Sequence, residues 1–463
     1  MSGPTMGVSH QPPDIPPAGA DRDRPASCLL GLTAFIDSRT NSTTACCDTD
    51  DTPMVSKIQI TFVVADPPQV SYFRAYCIGS NFTEKPTIIH TEGNLALLYI
   101  GVAKRNYYGL DRYAFYVYHA NGGSNGEPSL TILPQPSGRR IIERCQIGLL
   151  PGGIQDTSGG HVLRPHGYSH SHDYHVAALF SSSGPLHFEL YLYSSKTQTW
   201  TVKKPVLNLN EQEAEEFSHT TSGVITVGGE YGTMGFVDHS RGILFCNVLQ
   251  GDCPDLYYVP LPTPLPHSRL DSRRACDIAV DAKGDRIRIA TSFLPGCSPA
   301  TYLSSCPGSC AGVTGGPPPP TTGDLKRMYT EYPTLSLHDN TLYVMISCNI
   351  GAWDRWVIAV DMANMTLQDV AHYRRENARL KFRHSKISNH LNMGASPGAK
   401  GYMKRPGMEV LESSRKKQFV LSMVDDMVSS WVGEQEQHQD AGTIKGASGD
   451  YMDLDMPTLL KEH

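Results

Sequence analysis

The first regular signal along the chain is alternation. Ile58, Ile60 and Phe62 alternate with Gln59 and Thr61, the period-two pattern of a strand with one face on a core and the other toward water. Val70 to Ile78, Leu95 to Val102 and Tyr113 to Tyr118 are rich in aromatic and β-branched residues and are separated by Asp66-Pro67-Pro68 or by Gly/Asn clusters. They predict further strands, and the first half reads as antiparallel sheet. Beyond residue 170 the pattern becomes paired: an apolar strand, a polar turn, then a second strand opened by an aromatic or aliphatic residue. It occurs in Leu186 to Val202, where HFELYLY turns through Ser194, Ser195 and Lys196 and returns through Trp200. It recurs in Gly235 to Val248, turning through Asp238-His-Ser-Arg-Gly242 into Ile243 to Cys246, and in Trp356 to Val370, turning through Met362 to Asn364 and returning at Leu367.

Pairs at roughly even intervals are what propeller blades or sandwich sheets produce, and no strict period marks a known repeat. The fold expected is mainly β, antiparallel and β-propeller-like, with a pair of β-sandwiches as the alternative. Short helices are expected at Glu211 to Phe217 and Ala371 to Phe382. Residues 1–27, with Pro4, Pro12, Pro13, Pro16 and Pro17 and almost no large apolar side chains, read as a disordered leader. A β-rich domain is expected over 28–424, interrupted by a surface loop at 297–323 that holds Pro317 to Pro320. The stretch 425–463 carries nine Asp or Glu against two Lys and reads as an acidic tail with little fixed structure.

Composition narrows the setting. With 463 residues, 40% hydrophobic and 19% charged, the chain can bury a large core. It contains neither a run of about 18 apolar residues that would span a membrane nor, near Met1, the apolar stretch of a secretory signal. The expectation is a soluble protein of the cytoplasm or nucleus, not secreted. In a reducing compartment the twelve cysteines read as free thiols, most of them small core hydrophobes. The Asn-x-Ser/Thr matches at Asn41, Asn81 and Asn364 then carry no meaning. A net charge of −6 argues against general phosphate-backbone binding.

Chemistry was sought motif by motif. Gly394-Ala-Ser396-Pro-Gly398 has the outline of a nucleophile elbow, but the oxyanion hole of that elbow uses the N–H after the nucleophile, and Pro397 has none. Gly308-Ser-Cys310-Ala-Gly312 lies in the Pro/Gly loop, without the strand and helix that the elbow needs. The densest cluster is His161, His166, His170, His172, Asp173 and His175. In an extended segment His170 and His172 would share a face and could chelate one ion, with Asp173 orienting them and His175 nearby. The simpler reading is an exposed loop leading into the strand Val176 to Phe180. Cys297, Cys306 and Cys310 leave a zinc site without a fourth ligand. Glu211, Glu213, Glu215 and Glu216 read as a solvated face. No catalytic residue, cofactor site or metal site is assigned, and no cofactor is expected. Arg374 to Lys417 holds twelve Lys or Arg against three Glu, with Arg374, Arg375, Arg379, Lys381, Arg383 and Lys386 at its heart. A solvated helix face is the favoured reading, and nucleic-acid contact or docking of the acidic tail are the others.

The strings FVVADPPQVSYF, GFVDHSRGILFCNVL, LYYVPLP and ACDIAV resemble the plant "domain of unknown function 1618" family, abundant in grasses. The resemblance runs from about Leu29 to about Val424. It rests on Asp66, Pro67 and Pro68, on Asp238, Arg241 and Gly242, on Pro260 and Pro262, and on Asp277. Family members have Trp where Phe236 stands and a Leu-Trp pair where His239 and Ser240 stand, which predicts looser aromatic packing at that turn. The resemblance implies a β-rich, propeller-like domain similar to F-box-associated substrate-reading domains, and it supplies no activity. No F-box helix pair is seen in residues 1–27. The expected function is therefore a non-enzymatic module that binds a protein partner through its loops, with Trp200, Trp353, Trp356 and Tyr107-Tyr108 as candidate anchors. The alternatives are a metal-dependent or hydrolytic enzyme centred on His161 to His175, and a nuclear regulator using residues 374–417.

Overall fold

The computed structural model describes residues 25–48, 56–103, 112–123, 126–136, 141–152, 173–182, 184, 186–207, 209, 214, 217–261, 276–280, 286–291, 329–347, 354–364, 366–374, 381–391 and 451–455. The strands run in chain order as Cys28–Gly31 (β1), Phe35–Ile36 (β2), Ala45–Asp48 (β3), Lys57–Val63 (β4), Val70–Ile78 (β5), Thr87–Glu92 (β6), Leu95–Val102 (β7), Arg112–His119 (β8) and Ser129–Ile132 (β9). They continue as Ile147–Pro151 (β10), Tyr174–Ser181 (β11), Phe188–Ser194 (β12), Thr199–Lys203 (β13), Val206–Leu207 (β14), Gly223–Gly228 (β15), Thr233–Asp238 (β16), Gly242–Asn247 (β17) and Asp255–Pro260 (β18). The last are Cys276–Val280 (β19), Arg286–Thr291 (β20), Tyr329–Leu335 (β21), Thr341–Ser347 (β22), Asp354–Asp361 (β23), Thr366–Arg374 (β24), Phe382–Ser385 (β25) and Tyr451–Asp455 (β26).

The strands assemble into six sheets, mostly antiparallel: β6 to β9, β10 to β13, β15 to β18 with β14 added at the edge, β19-β20-β26, β21 to β24, and a composite sheet ordered β25-β1-β5-β4-β3 with β2 on β5. The described residues are thus nearly all β, in antiparallel-rich sheets. Neighbouring sheets share cores. Phe62, Phe73 and Ile58 of the composite sheet pack with Leu98 and Tyr118 of β7 and β8. Leu97 and Val117 pack with Leu149 and Val176 of the next sheet, which in turn shares Leu179 and Leu190 with Phe236 and Leu244. Val237 and Phe245 then meet Ile278 and Ile287, and Tyr343 and Val357 meet Leu29 and Phe382 of the composite sheet. Between β20 and the β21–β22 hairpin the tie is polar, with Arg288 donating to the carbonyls of Ser336 at 3.3 Å and Asp339 at 2.9 Å. Each sheet therefore leans on the next. Each fully buried Leu, Ile or Phe in these interfaces contributes roughly 1.5–3 kcal/mol relative to an exposed one.

The leading strands β6, β10, β15, β19, β21 and β25 touch one another in that order. The succession returns to β6 through backbone bonds, Ile88 N–H to Leu32 C=O at 2.9 Å and Ala34 N–H to Pro86 C=O at 2.9 Å. Close approach of these strands needs glycine at one position in particular: a Cβ on Gly148 of β10 would lie 2.5 Å from Val224 Cγ1 of β15.

Several expectations hold in place and kind. The strands expected at Val70 to Ile78 and Leu95 to Val102 are β5 and β7, and the three strand pairs are β12–β13, β16–β17 and β23–β24. Others are corrected. The first half is not purely antiparallel, since β1 and β2 both pair parallel with β5. Gln59 and Thr61 do not face water: β4 is covered on both sides, Thr61 is 0% exposed, and Gln59 donates to Ser38 C=O. The helix expected over Ala371 to Phe382 is absent from its described ends, and residues 375–380 lie outside the described residues. Residues Ala371 to Arg374 continue β24 against β23, and Phe382 opens β25; the hydrogen-bonded partner strand outweighs the local helix preference of Ala, His and Arg. In the segment Glu211 to Phe217, Ala214 is helical while Phe217 lies outside any helix and packs on Phe188 and Tyr258. Within the acidic stretch, Tyr451–Asp455 pairs antiparallel with β20, where the sequence predicts a tail without fixed structure. Pro25, assigned to the leader, accepts a hydrogen bond from Ser388 Oγ at 3.2 Å. The loop 297–323 lies outside the described residues.

Candidate functional site

Polar side chains on the leading strands tie one sheet to the next. His90 on β6 accepts the Leu149 N–H of β10 at Nδ1, 3.4 Å, and also bonds the backbone of Val224 on β15. Thr226 Oγ1 on β15 donates to Leu149 C=O at 2.7 Å. Asp277 on β19 accepts the Leu335 N–H of β21 at 2.9 Å, and His384 on β25 accepts the Leu337 N–H at Nδ1, 3.4 Å. In His90, Asp277 and His384 the device is the same, a side-chain acceptor satisfying a backbone donor of another sheet, and Thr226 reverses it by donating to a carbonyl.

A charged cluster forms where these strands converge. Arg383 on β25 acts electrostatically on both His90 and Asp277, which belong to two other sheets. Lys386, just past β25, acts on Glu92 at the end of β6, on His338 after β21, on His384, and on His390 in the 3-10 turn Ile387–His390. Four sheets thus contribute ionisable groups to one region. Burial holds His90 and His384 neutral, with pKa values lowered to about 3, and the neighbouring Arg383 and His338 push in the same direction. Burial raises the Glu92 pKa to about 7, against the opposing pull of Lys386 and of a backbone bond with Gly93. It also raises the Asp277 pKa, against the Leu335 N–H and Arg383. His384 is stacked on Tyr343 with centroids 6.2 Å apart and meets the edge of His338 at 5.9 Å. Such a region can hold an anionic group, and it can exchange a proton at Glu92 near neutral pH.

The residues picked out in the sequence fall elsewhere or take other roles. His161, His166, His170 and His172 lie outside the described residues. Asp173 is exposed and gives its carbonyl to Gly152 N–H at 2.7 Å. His175 sits on β11 with its pKa lowered by burial and with Nδ1 buried and unbonded. Among the described residues no group of three or more His, Cys, Asp or Glu is placed to hold a metal. Both elbow lookalikes, the acidic group Glu211 to Glu216, Cys297, Cys306, Cys310, Arg375, Arg379, Trp353 and Tyr107-Tyr108 are also outside. Lys381, Arg383 and Lys386 do not line a helix face; they flank or occupy the leading strand β25. Trp200 is a tie between sheets, its Nε1 donating to Pro134 C=O at 2.7 Å. Trp356 is partly buried against His372. His90 and Glu92 were missed, although two polar residues spaced by two in TIIHTE, beside a predicted strand, are a readable signal.

The residues that carry the family resemblance turn out to brace backbone. Asp66 C=O accepts Gln69 N–H at 2.9 Å in the turn that holds Pro67 and Pro68. Asp238 is 5% exposed, and its carboxylate accepts the N–H groups of Thr220 and Ser240, each at 2.9 Å. Arg241 gives its carbonyl to Leu261 N–H at 2.9 Å. Gly242 faces Pro260 across the β17–β18 pair, where a Cβ would lie 2.6 Å from Val259 O. Pro262 is outside the described residues. At the divergent turn Phe236 is fully buried, while His239 Nδ1 bonds Ser222 Oγ at 2.5 Å, so a polar clasp stands where the family has aromatic residues. Of the nine, Asp277 joins the charged cluster.

Comparison with known proteins adds the following. No curated protein matches the chain. Among solved structures the chain is similar to the hemagglutinin-neuraminidase of Parainfluenza Virus 5 with the ligand DANA, at 7% identity over 77% of this chain and 92% of that one. The TM-score of 0.26 is too low for that likeness to carry any argument. The end of β16 from Phe236, the strands β17 and β18 and the pair β19–β20 fall within residues 236–294. Those residues match the model of a family described as Protein of unknown function (DUF1618).

Proposed function

We propose that the chain is a non-enzymatic recognition module, acting in the cytosol or nucleus, that binds a protein partner where the leading strands of its six sheets converge. The observation that carries this reading is the delivery of Arg383, Lys386, Glu92, His90 and Asp277 to one region by separate sheets. Burying ionisable groups there is costly, and a partner group can offset what the internal hydrogen bonds leave unmet. Apart from Asp277, the described residues that carry the resemblance brace backbone and shape turns, which suits a scaffold that presents loops. Proximity labelling with the tagged chain tests the proposal. The wild type should mark a reproducible protein partner, and an Arg383→Gln/Lys386→Gln double variant, expressed at equal level, should lose most of that labelling. Undiminished labelling by the double variant would place the partner surface elsewhere.

A further inference from the structure

The sheet β19-β20-β26 is assembled unlike most of its neighbours. The sheets β6 to β9, β10 to β13 and β21 to β24 are runs of consecutive strands, whereas here a hairpin takes its outer strand from Tyr451–Asp455, far along the chain. A two-stranded hairpin is marginal by itself and leaves a row of backbone donors and acceptors open. The third strand is held to that row by the ladder and not by a turn. We propose that the outer edge of β20 is a strand-addition site for an extended segment of a partner protein in which apolar and acidic residues alternate, and that Tyr451–Asp455 is the chain's own occupant, which such a segment displaces. The site lies at the opposite edge of its sheet from the leading strand β19, so it does not depend on the region where the leading strands converge.

The register fixes what this edge accepts. Ile287 and Ile289 of β20 are buried in the core shared with Val237 and Phe245, and the positions opposite them are Leu454 and Met452. Asp455 is opposite Arg286, and Asp453 is opposite Arg288. Directly opposed positions of an antiparallel pair share a face, favourably for unlike charges and unfavourably for like ones. The edge therefore specifies apolar residues at two positions and acidic residues at the two that alternate with them. In this mode of recognition main-chain bonds provide the affinity and alternate side chains the selectivity. Arg288 is buried and commits its guanidinium to the Ser336 and Asp339 carbonyls and the Asn340 side chain. Arg286 is exposed at the start of β20, so its charge can be varied without touching that clamp. Asp is a poor strand former. YMDLD thus matches the edge by charge more than by strand propensity, and a segment with Val at the apolar positions can outcompete it.

The test uses the full chain and two fluorescein-labelled peptides, GDYMDLDMP from residues 449–457 and the unrelated alternating peptide TVEVET, followed by anisotropy. A Met452→Pro/Asp453→Pro variant opens the edge, because one of two successive N–H groups must point at the partner strand and proline has none. Both peptides should bind the opened chain on the order of tenfold more tightly than the wild type, where the tethered strand competes. GMYLMDDDP, of the same composition as the first peptide without its alternation, should not bind. Lysine at the Asp455 position of the peptide should weaken binding about fivefold, and adding Arg286→Glu to the opened chain should reverse that preference. Circular dichroism melting shows whether the opened chain keeps its fold, and hydrogen exchange on the wild type needs no variant. There, saturating TVEVET should speed exchange at residues 451–455 while residues 286–290 stay protected. Unchanged exchange at 451–455, equal binding of GMYLMDDDP, or indifference to the charge swap at Arg286 would each overturn the proposal. A wild-type dimer that TVEVET dissolves would make a second copy the occupant and overturn the partner assignment.

Discussion

His90 and His384 show how a single buried acceptor governs both geometry and pH response. Each must stay neutral to receive a backbone N–H at Nδ1, and each has a pKa of about 3 against an ordinary 6.5; His219, at about 4, behaves alike. A depressed pKa contributes stability that is present above 6.5 and is lost as pH falls toward the folded value. Glu92 has the opposite sign: raised from 4.5 to about 7, it contributes below 4.5 and loses that contribution as pH rises through 7. Between pH 4.5 and 6.5 these three histidines oppose one carboxyl, which alone lowers stability on acidification by about 3 kcal/mol per pH unit, at about 1.4 kcal/mol per unit for each of the two uncompensated groups, and the lowered His175, His338 and His390 act in the same direction. Urea midpoints at pH 7.5 and 5.5 measure it, and equal midpoints would refute the burial of these rings. Glu92→Gln should stabilise the protein at pH 8, by roughly 1–3 kcal/mol, and change little at pH 4.5. At Gly242 a methyl group has no room beside Val259 O, so Gly242→Ala should cost about 1–3 kcal/mol in denaturant unfolding. Gly229, whose added Cβ would meet nothing within 4 Å but whose φ is +79°, separates crowding from backbone strain in the same assay.

Among the elements, strands were legible wherever sequence pattern and pairing agree. Val70 to Ile78 could be read to the residue because aromatic and β-branched side chains fill it and Asp66-Pro67-Pro68 closes its front. β24 was misread over its last four residues because Ala-His-Tyr-Arg has no strand signature of its own; the register against Asp354 to Val357 supplies it. Gln59 and Thr61 misled in the other direction, since a polar residue satisfied by Ser38 C=O or Thr44 Oγ1 is as buried as an aliphatic one. The charged cluster was illegible for a related reason. Its members lie hundreds of residues apart in sequence, and only strand order brings β6, β19 and β25 together. Arg288 offers a test at this scale. It clamps the β21–β22 hairpin through the carbonyls of Ser336 and Asp339 and the Asn340 side chain at 3.2 Å. Arg288→Met should destabilise by about 2–4 kcal/mol, because two hairpin carbonyls lose charge-assisted donors. Hydrogen exchange should locate the loosening at residues 336–341, and loosening confined to β20 would contradict the clamp.

For the whole molecule, the succession of shared cores predicts joint unfolding. A sheet of three to six short strands cannot bury both faces alone, so each depends on its two neighbours. Leu30→Asp, placed at a fully buried position of β1, should therefore lower the melting temperature monitored by Trp200 fluorescence as much as that monitored by far-UV circular dichroism. Divergence of the two curves would mean that the sheets unfold separately.

The pairing of β1 with β25 also dictates an order of events at the ribosome. One edge of Cys28–Gly31 finds its parallel partner β5 within about forty residues of synthesis, but the other edge waits for Phe382–Ser385. At about 5–20 residues per second the growing chain carries an open strand edge, a template for pairing with other chains, on the order of tens of seconds before β25 can cover it. Nascent chains stopped before Phe382 should accordingly be sticky, and those extended past Ser385 should not.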